Sequence, residues 1–187
     1  MIDFNPYLRA FFDAVAKGDI DIYNEFSLQH EVGVYLRSEL GPSFKIQFER
    51  PTSHFNLSTV KLVKKEIDLV VFRPNFPETY ALEFKFPRTQ VPEQMFKACK
   101  DIQFLEQLRD RGFSACYFVI ATDDPLFFRR QDTPGIYRFF RSTDPISGVI
   151  HKPTGSKSER PVSIAGSYRV LWNRVTDACR YAVAAIH

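Results

Sequence analysis

Three charged residues stand where charge is costly. Asp68 lies in Ile67-Asp68-Leu69-Val70-Val71, and Glu83 and Lys85 lie in Ala81-Leu82-Glu83-Phe84-Lys85-Phe86. Both stretches read as β-strands, in which side chains alternate. Glu83 and Lys85 therefore share a face, about 7 Å apart at ~3.4 Å per residue. Burying an isolated charge is expensive. Such charges are kept where they bind a metal, pair with one another or act on a substrate. If the two strands form a hairpin, Asp68 comes beside Glu83, and two carboxylates that close repel unless a cation joins them. Hard oxygen ligands favour Mg²⁺ or Mn²⁺ over zinc, and the Phe84 carbonyl is a further oxygen in reach. A metal at two carboxylates with a lysine alongside suits phosphodiester hydrolysis. The metal offsets developing charge and activates water, while Lys85 orients the nucleophile and helps to deprotonate it.

The elements around these residues are legible from hydrophobic spacing. Asn5-Pro6 caps a helix that runs through Leu8, Phe11, Phe12 and Val15 to Gly18. A second helix is expected from Asn24 to Leu40, with Leu28, Val32, Leu36 and Leu40 at i+4 spacing and Gly41-Pro42 as its stop. Phe44 to Phe48 alternates as a strand. Glu66 to Phe72 and Tyr80 to Phe86 form the predicted hairpin around a Pro-containing turn. A third helix is expected from Pro92 to Arg111, with Met95, Cys99, Ile102, Leu105 and Leu108 inward. On that helix Gln94, Lys97 and Asp101 read as a solvated face. Ala115 to Ala121 is a further buried strand. Ile136 to Arg141 pairing with Gly148 to His151 is the expected C-terminal hairpin, and Ser167 to Ile186 is the expected final helix. The order predicts an α/β fold with a mixed sheet.

Asp68, followed fourteen residues later by Leu82-Glu83-Phe84-Lys85, resembles the signature of the PD-(D/E)xK nuclease superfamily. The resemblance covers about residues 23–121. It implies a restriction-endonuclease-like α/β/α core with a central mixed β-sheet, here followed by a C-terminal hairpin-plus-helix extension. Ile67 stands where the motif's proline would be. Carried over by position, Asp68 and Glu83 match the metal-binding acids and Lys85 the catalytic lysine. The family often adds a glutamate from the preceding helix, and Glu31 or Glu25 fills that role, with Glu31 favoured for its depth in the helix. The QxxxY form of one branch is absent, because Ala98 occupies the tyrosine position. The resemblance implies a Mg²⁺-dependent (or Mn²⁺-dependent) nuclease acting on nucleic acid, DNA ahead of RNA. Pairing to cut both strands, hence a homodimer, is implied by analogy only.

Composition sets outer bounds. The chain has 187 residues, 44% hydrophobic and 25% charged, with 19 Phe, which suits a single domain at residues 1–187. It divides into an N-terminal helix (1–22), a nuclease core (23–124) and a basic extension (125–187). The net charge of +3 is uneven. Residues 1–124 hold 15 Lys and Arg against 18 Asp and Glu, whereas residues 125–187 hold 10 against 4. Lys64 and Lys65 before the Asp68 strand, Lys97, and Arg129, Arg130 and Lys157 in the extension are therefore candidates for phosphate contacts. Arg138, Arg141, Lys152 and Arg160 add to the same basic excess. Cys99, Cys116 and Cys179 are too widely spaced for a zinc site or a disulfide framework, which predicts reduced thiols and a cytoplasmic protein. No signal peptide and no membrane span are expected. Two other readings stay open: a structural ion network in the sheet, and a non-catalytic binding module on the same fold.

Overall fold

The computed structural model describes residues 1–57, 61–129, 134–154 and 160–187. Two helices open the chain: α1 at Asn5–Lys17 and α2 at Glu25–Leu40. Gly18 ends α1 at φ 83°, a left-handed conformation that glycine adopts without steric cost. α2 begins at a reciprocal cap. The Asn24 side chain accepts from the Ser27 amide at 2.7 Å, and the Ser27 hydroxyl accepts from the Asn24 amide at 3.0 Å. That cap makes Glu25 the first residue of the helix.

Strands β1 (Lys45–Pro51), β2 (Glu66–Phe72) and β3 (Thr79–Lys85) form an antiparallel meander. Helix α3 (Val91–Arg109) then crosses over to β4 (Ala115–Thr122), which lies parallel to β3. A 3₁₀ turn at Gly135–Tyr137 runs into α4 (Arg138–Arg141). β5 (Ile146–Ile150) and β6 (Val162–Tyr168) make a separate two-stranded ribbon, and β7 (Asn173–Arg174) and β8 (Arg180–Ile186) return to the main sheet. The main sheet is six-stranded and mixed, in the order β1-β2-β3-β4-β8-β7.

The sheet separates two apolar layers. On one side Leu69, Val71, Leu82, Phe84, Tyr117 and Val119 meet α1 and α2 through Phe11, Phe12, Leu28 and Val32. On the other, Val70, Ala81, Cys116, Phe118 and Ile120 meet α3 and the β5/β6 ribbon. The chain is thus a mixed α/β fold with helices on both sheet faces. Among the described residues, no helix is long and apolar enough to cross a membrane.

The C-terminal extension departs from expectation. Ser167 to Ile186 is not a helix; it contains the end of β6, β7 and β8. Tyr168, Leu171, Val175, Ala178, Ala182 and Ile186 do recur at helical spacing, but β8 pairs with β4 along all seven of its residues, from Arg180↔Thr122 to Ile186↔Cys116. Both faces of the strand are used. Tyr181 stacks on Phe12 at 3.9 Å in the α1/α2 layer, while Ala182, Ala184 and Ile186 enter the α3 layer. Pairing to a central strand outweighs the local helical pattern. The expected hairpin also shifts. Ile136 to Arg141 is helical, and the ribbon pairs residues 146–150 with 162–168. Its core-facing residues Ile146, Ile150, Val162 and Ile164 alternate as a half-buried ribbon requires.

Candidate active site

Strand alternation puts Asp68, Glu83 and Lys85 on the face that α3 covers, since Leu69, Leu82 and Phe84 fill the opposite layer. Extending the β2/β3 register by one residue from Leu69↔Leu82 sets Asp68 opposite Glu83. Here the ladder is continued by side chains. The Asp68 amide donates to Glu83 Oε1 at 3.1 Å, and the Phe84 amide donates to Asp68 Oδ2 at 2.9 Å. Each carboxylate therefore has one oxygen held by backbone and one left over.

A third acid joins them from α3. Asp101 is buried, with Oδ2 at 3.0 Å from Lys85 Nζ and Oδ1 at 3.2 Å from Lys64 Nζ. It is not on a solvated face, because α3 is enclosed by the sheet on one side and the β5/β6 ribbon on the other. Its neighbours in helical register, Ala98, Phe104 and Leu105, are all buried, and that register was the signal available in the sequence.

The Lys85 ammonium donates to Glu25 Oε1 at 3.1 Å and to the Phe84 carbonyl at 2.8 Å and forms an ion pair with Asp101. The helix glutamate at the site is therefore Glu25, whose Oε2 also accepts from the Phe86 amide at 3.3 Å. Glu31 does not reach it. Depth in the helix carried Glu31 away from the sheet end where β3 stops, and its carboxylate pairs with His30 at 3.1 Å. The Phe84 carbonyl is at the site, engaged by the Lys85 ammonium.

Lys64 is the second correction. It does not face outward to a phosphate backbone. Its ammonium lies among the acids, 3.3 Å from Asp68 Oδ1 and in direct contact with Glu83 Oε2 as well as Asp101. Lys65 and Lys97 are exposed, as is Arg129. Arg141 is buried, its guanidinium over the Tyr137 ring and its Nε donating to the Leu126 carbonyl at 2.8 Å, so it belongs to the packing of α4. Arg130 and Lys157 lie outside the described residues. Cys99 and Cys116 are buried free thiols and Cys179 is half-buried.

Four carboxyl groups (Glu25, Asp68, Glu83, Asp101) thus face two ammonium groups (Lys64, Lys85). Burial pushes the Glu83 carboxyl well above its ordinary range, and the charges of Asp68 and Asp101 push it further against the pull of Lys64. Burial raises Asp101 as well, opposed by Lys85 and Lys64. For Lys85, burial would lower the ammonium's pKa, but Asp101, Glu25 and Asp68 outweigh it and the group is raised. Lys85 is a persistent cation, suited to donating hydrogen bonds and not to removing a proton from water.

No family model, curated protein or solved structure matches the chain.

The donor set suits a hard divalent cation. Asp68 Oδ1, Glu83 Oε2 and Asp101 Oδ1 converge on one positive centre, the Lys64 ammonium. As these side chains lie, no cluster of three or more His, Cys, Asp or Glu among the described residues is spaced to hold a metal.

Proposed function

We propose that the protein is a Mg²⁺-dependent nuclease that hydrolyses phosphodiester bonds, with DNA the first substrate to test, on a restriction-endonuclease-like core. The observation that carries this reading is the pair of acids, Asp68 and Glu83, set opposite each other on adjacent strands with Lys85 on the same face. Glu25 from the preceding helix and the two-layered helical cover support it.

Asp68 and Glu83 would hold the ion. When bound, it supplies charge neutralisation for the phosphate and acidity for the attacking water. The chain's own residues do the rest. Lys85, anchored by Asp101 and Glu25, is a fixed positive charge beside the acids and stabilises negative charge that grows on the phosphate in the transition state. Glu25 joins the first turn of α2 to the Lys85 tip, fixing that ammonium's position at the end of β3. Exposed Lys65 and Lys61 line a cleft of about 480 Å³ beside Lys64 and give a phosphate backbone a basic approach.

The test is cleavage of end-labelled single- and double-stranded DNA in Mg²⁺ or EDTA, with Asp68→Asn and Lys85→Ala as controls. Mg²⁺-dependent cutting lost in both variants is expected. Cutting that survives both, or none with any substrate, sinks the reading.

One observation favours a second reading. Because Lys64 already neutralises part of the acid cluster, the same residues could serve as an ion network in a non-catalytic binding module of the same fold. Metal titration separates the two, since the module needs no divalent ion.

A further inference from the structure

Lys64 lies outside the Asp…Glu-x-Lys pattern, in the segment leading into β2, yet it makes more contacts with the acids than Lys85 does. The way the carboxylates divide their oxygens explains why. Asp68 Oδ2 accepts from the Phe84 amide, Glu83 Oε1 accepts from the Asp68 amide, and Asp101 Oδ2 faces Lys85. The remaining oxygen of each acid points to a single position, and the Lys64 ammonium occupies it. A Mg²⁺ or Mn²⁺ ion bound through those oxygens needs contacts of about 2.1 Å. An ammonium and such an ion cannot share that space.

We infer that Lys64 is a built-in counter-ion that a divalent cation must displace, so that this side chain sets the metal affinity of the site and leaves it when metal binds. The inference rests on the metal-site reading above. The surrounding structure fits an exchange of side chain without movement of backbone. The segment is tied on both sides of Lys64, by the Thr52 amide donating to the Lys65 carbonyl at 2.8 Å and the Val63 amide donating to Gln107 Oε1 at 3.0 Å. The Lys64 side chain is 29% exposed, against 14% for Asp68, 6% for Asp101 and none for Glu83, so it is the most solvent-exposed member of the cluster. It borders the cleft lined by Lys61, Leu62 and Lys65, where a released ammonium would meet incoming phosphate.

The experiment is calorimetric titration of the full chain with Mn²⁺ alone at fixed pH, for the wild type, Lys64→Met, Asp68→Asn and the exposed-lysine control Lys97→Met. If the ammonium fills the cradle nine-tenths of the time, removing it tightens binding about tenfold, because apparent affinity scales with the competent fraction. Lys64→Met should show that gain, Lys97→Met should match the wild type, and Asp68→Asn should bind nothing. Should Lys64→Met not fold, the wild type answers instead: amine labelling of Lys64, read by peptide mass spectrometry, must rise at saturating Mn²⁺. Binding by Lys64→Met alone would be the strongest support. Asp68-dependent Mn²⁺ binding by the wild type that neither tightens in Lys64→Met nor exposes Lys64 overturns the inference and leaves the metal site standing. Absence of binding in both wild type and Lys64→Met overturns the metal site and the inference together.

Discussion

Replacing Glu83 by Gln should remove cleavage and make the metal-free protein more stable. Glu83 is fully buried with a raised pKa, so its charged form is disfavoured in the folded chain relative to the unfolded one. Gln keeps the volume and, through Oε1, the bond from the Asp68 amide. It loses the contact with Lys64, but that ammonium keeps Asp68 and Asp101. Replacing buried ionic groups by well-packed neutral ones is neutral to stabilising by roughly 1–4 kcal/mol, provided that no charged partner is left unpaired. A middle value of about 2 kcal/mol raises Tm by about 4–8 °C for a chain of this length. The sign with pH follows from the direction of the shift. A raised folded pKa means that the stability Glu83 contributes as a neutral acid is complete below its ordinary value of 4.5 and is lost as pH rises through the raised one. The Tm advantage of Glu83→Gln should therefore be near zero at pH 4 and larger at pH 8. Asp101 shifts the same way and interacts with Glu83, so the difference reports the relief of both. Differential scanning calorimetry in EDTA at the two pH values measures it. A variant less stable than the wild type by the same margin at both values would refute the electrostatic reasoning. Adding Mg²⁺ should then raise the wild-type Tm and leave that of the variant unchanged.

Two further outcomes test the corrected geometry. Glu25→Gln should lower the cleavage rate by about tenfold or more, in keeping with a group that fixes the electrostatic stabiliser Lys85, whereas Glu31→Gln, paired only to His30, should stay within about twofold; single-turnover kinetics distinguish them. Phe12→Ala should cost about 3–5 kcal/mol in urea unfolding, because it removes a buried ring stacked on Tyr181 and so tests the placement of β8 in the sheet.

The acids of the strands were legible for a physical reason. Asp68 and Glu83 sit between apolar neighbours on both sides, and a strand that is apolar on both faces leaves a charge nowhere to escape. The α1, α2 and α3 helices, the β2/β3 hairpin and the buried strand β4 followed from the same local periodicity, although its parallel direction did not. What failed did so where local pattern and tertiary cover disagree. Residues 167–186 carry a helical stripe, but the sheet had an open edge at β4, and small residues such as Ala182 and Ala184 suit a strand buried on both sides. Glu25 and Glu31 differ by six residues on one helix, and only the point where β3 ends decides between them.

Asp101 and Lys64 carry the deeper lesson about charge. Neither stands in an apolar run: Asp101 follows Lys100, and Lys64 has Lys61 and Lys65 around it, so adjacent residues mark neither as enclosed and only the helical register of Asp101 points inward. Asp101 is buried by elements that close over α3 from elsewhere, the β5/β6 ribbon and the segment before β2 that carries Lys64. The converse holds for Arg141, which inflated the basic excess of the extension but is spent on Tyr137 and the Leu126 carbonyl. Net charge by segment therefore misjudged where the field of this protein lies. The position with the greatest demand for a cation is inside the half that the sequence marks as acidic. Lys64 and Lys85 meet part of that demand, and a divalent ion at the Asp68, Glu83 and Asp101 oxygens would meet the rest and hold those carboxyls in their charged form.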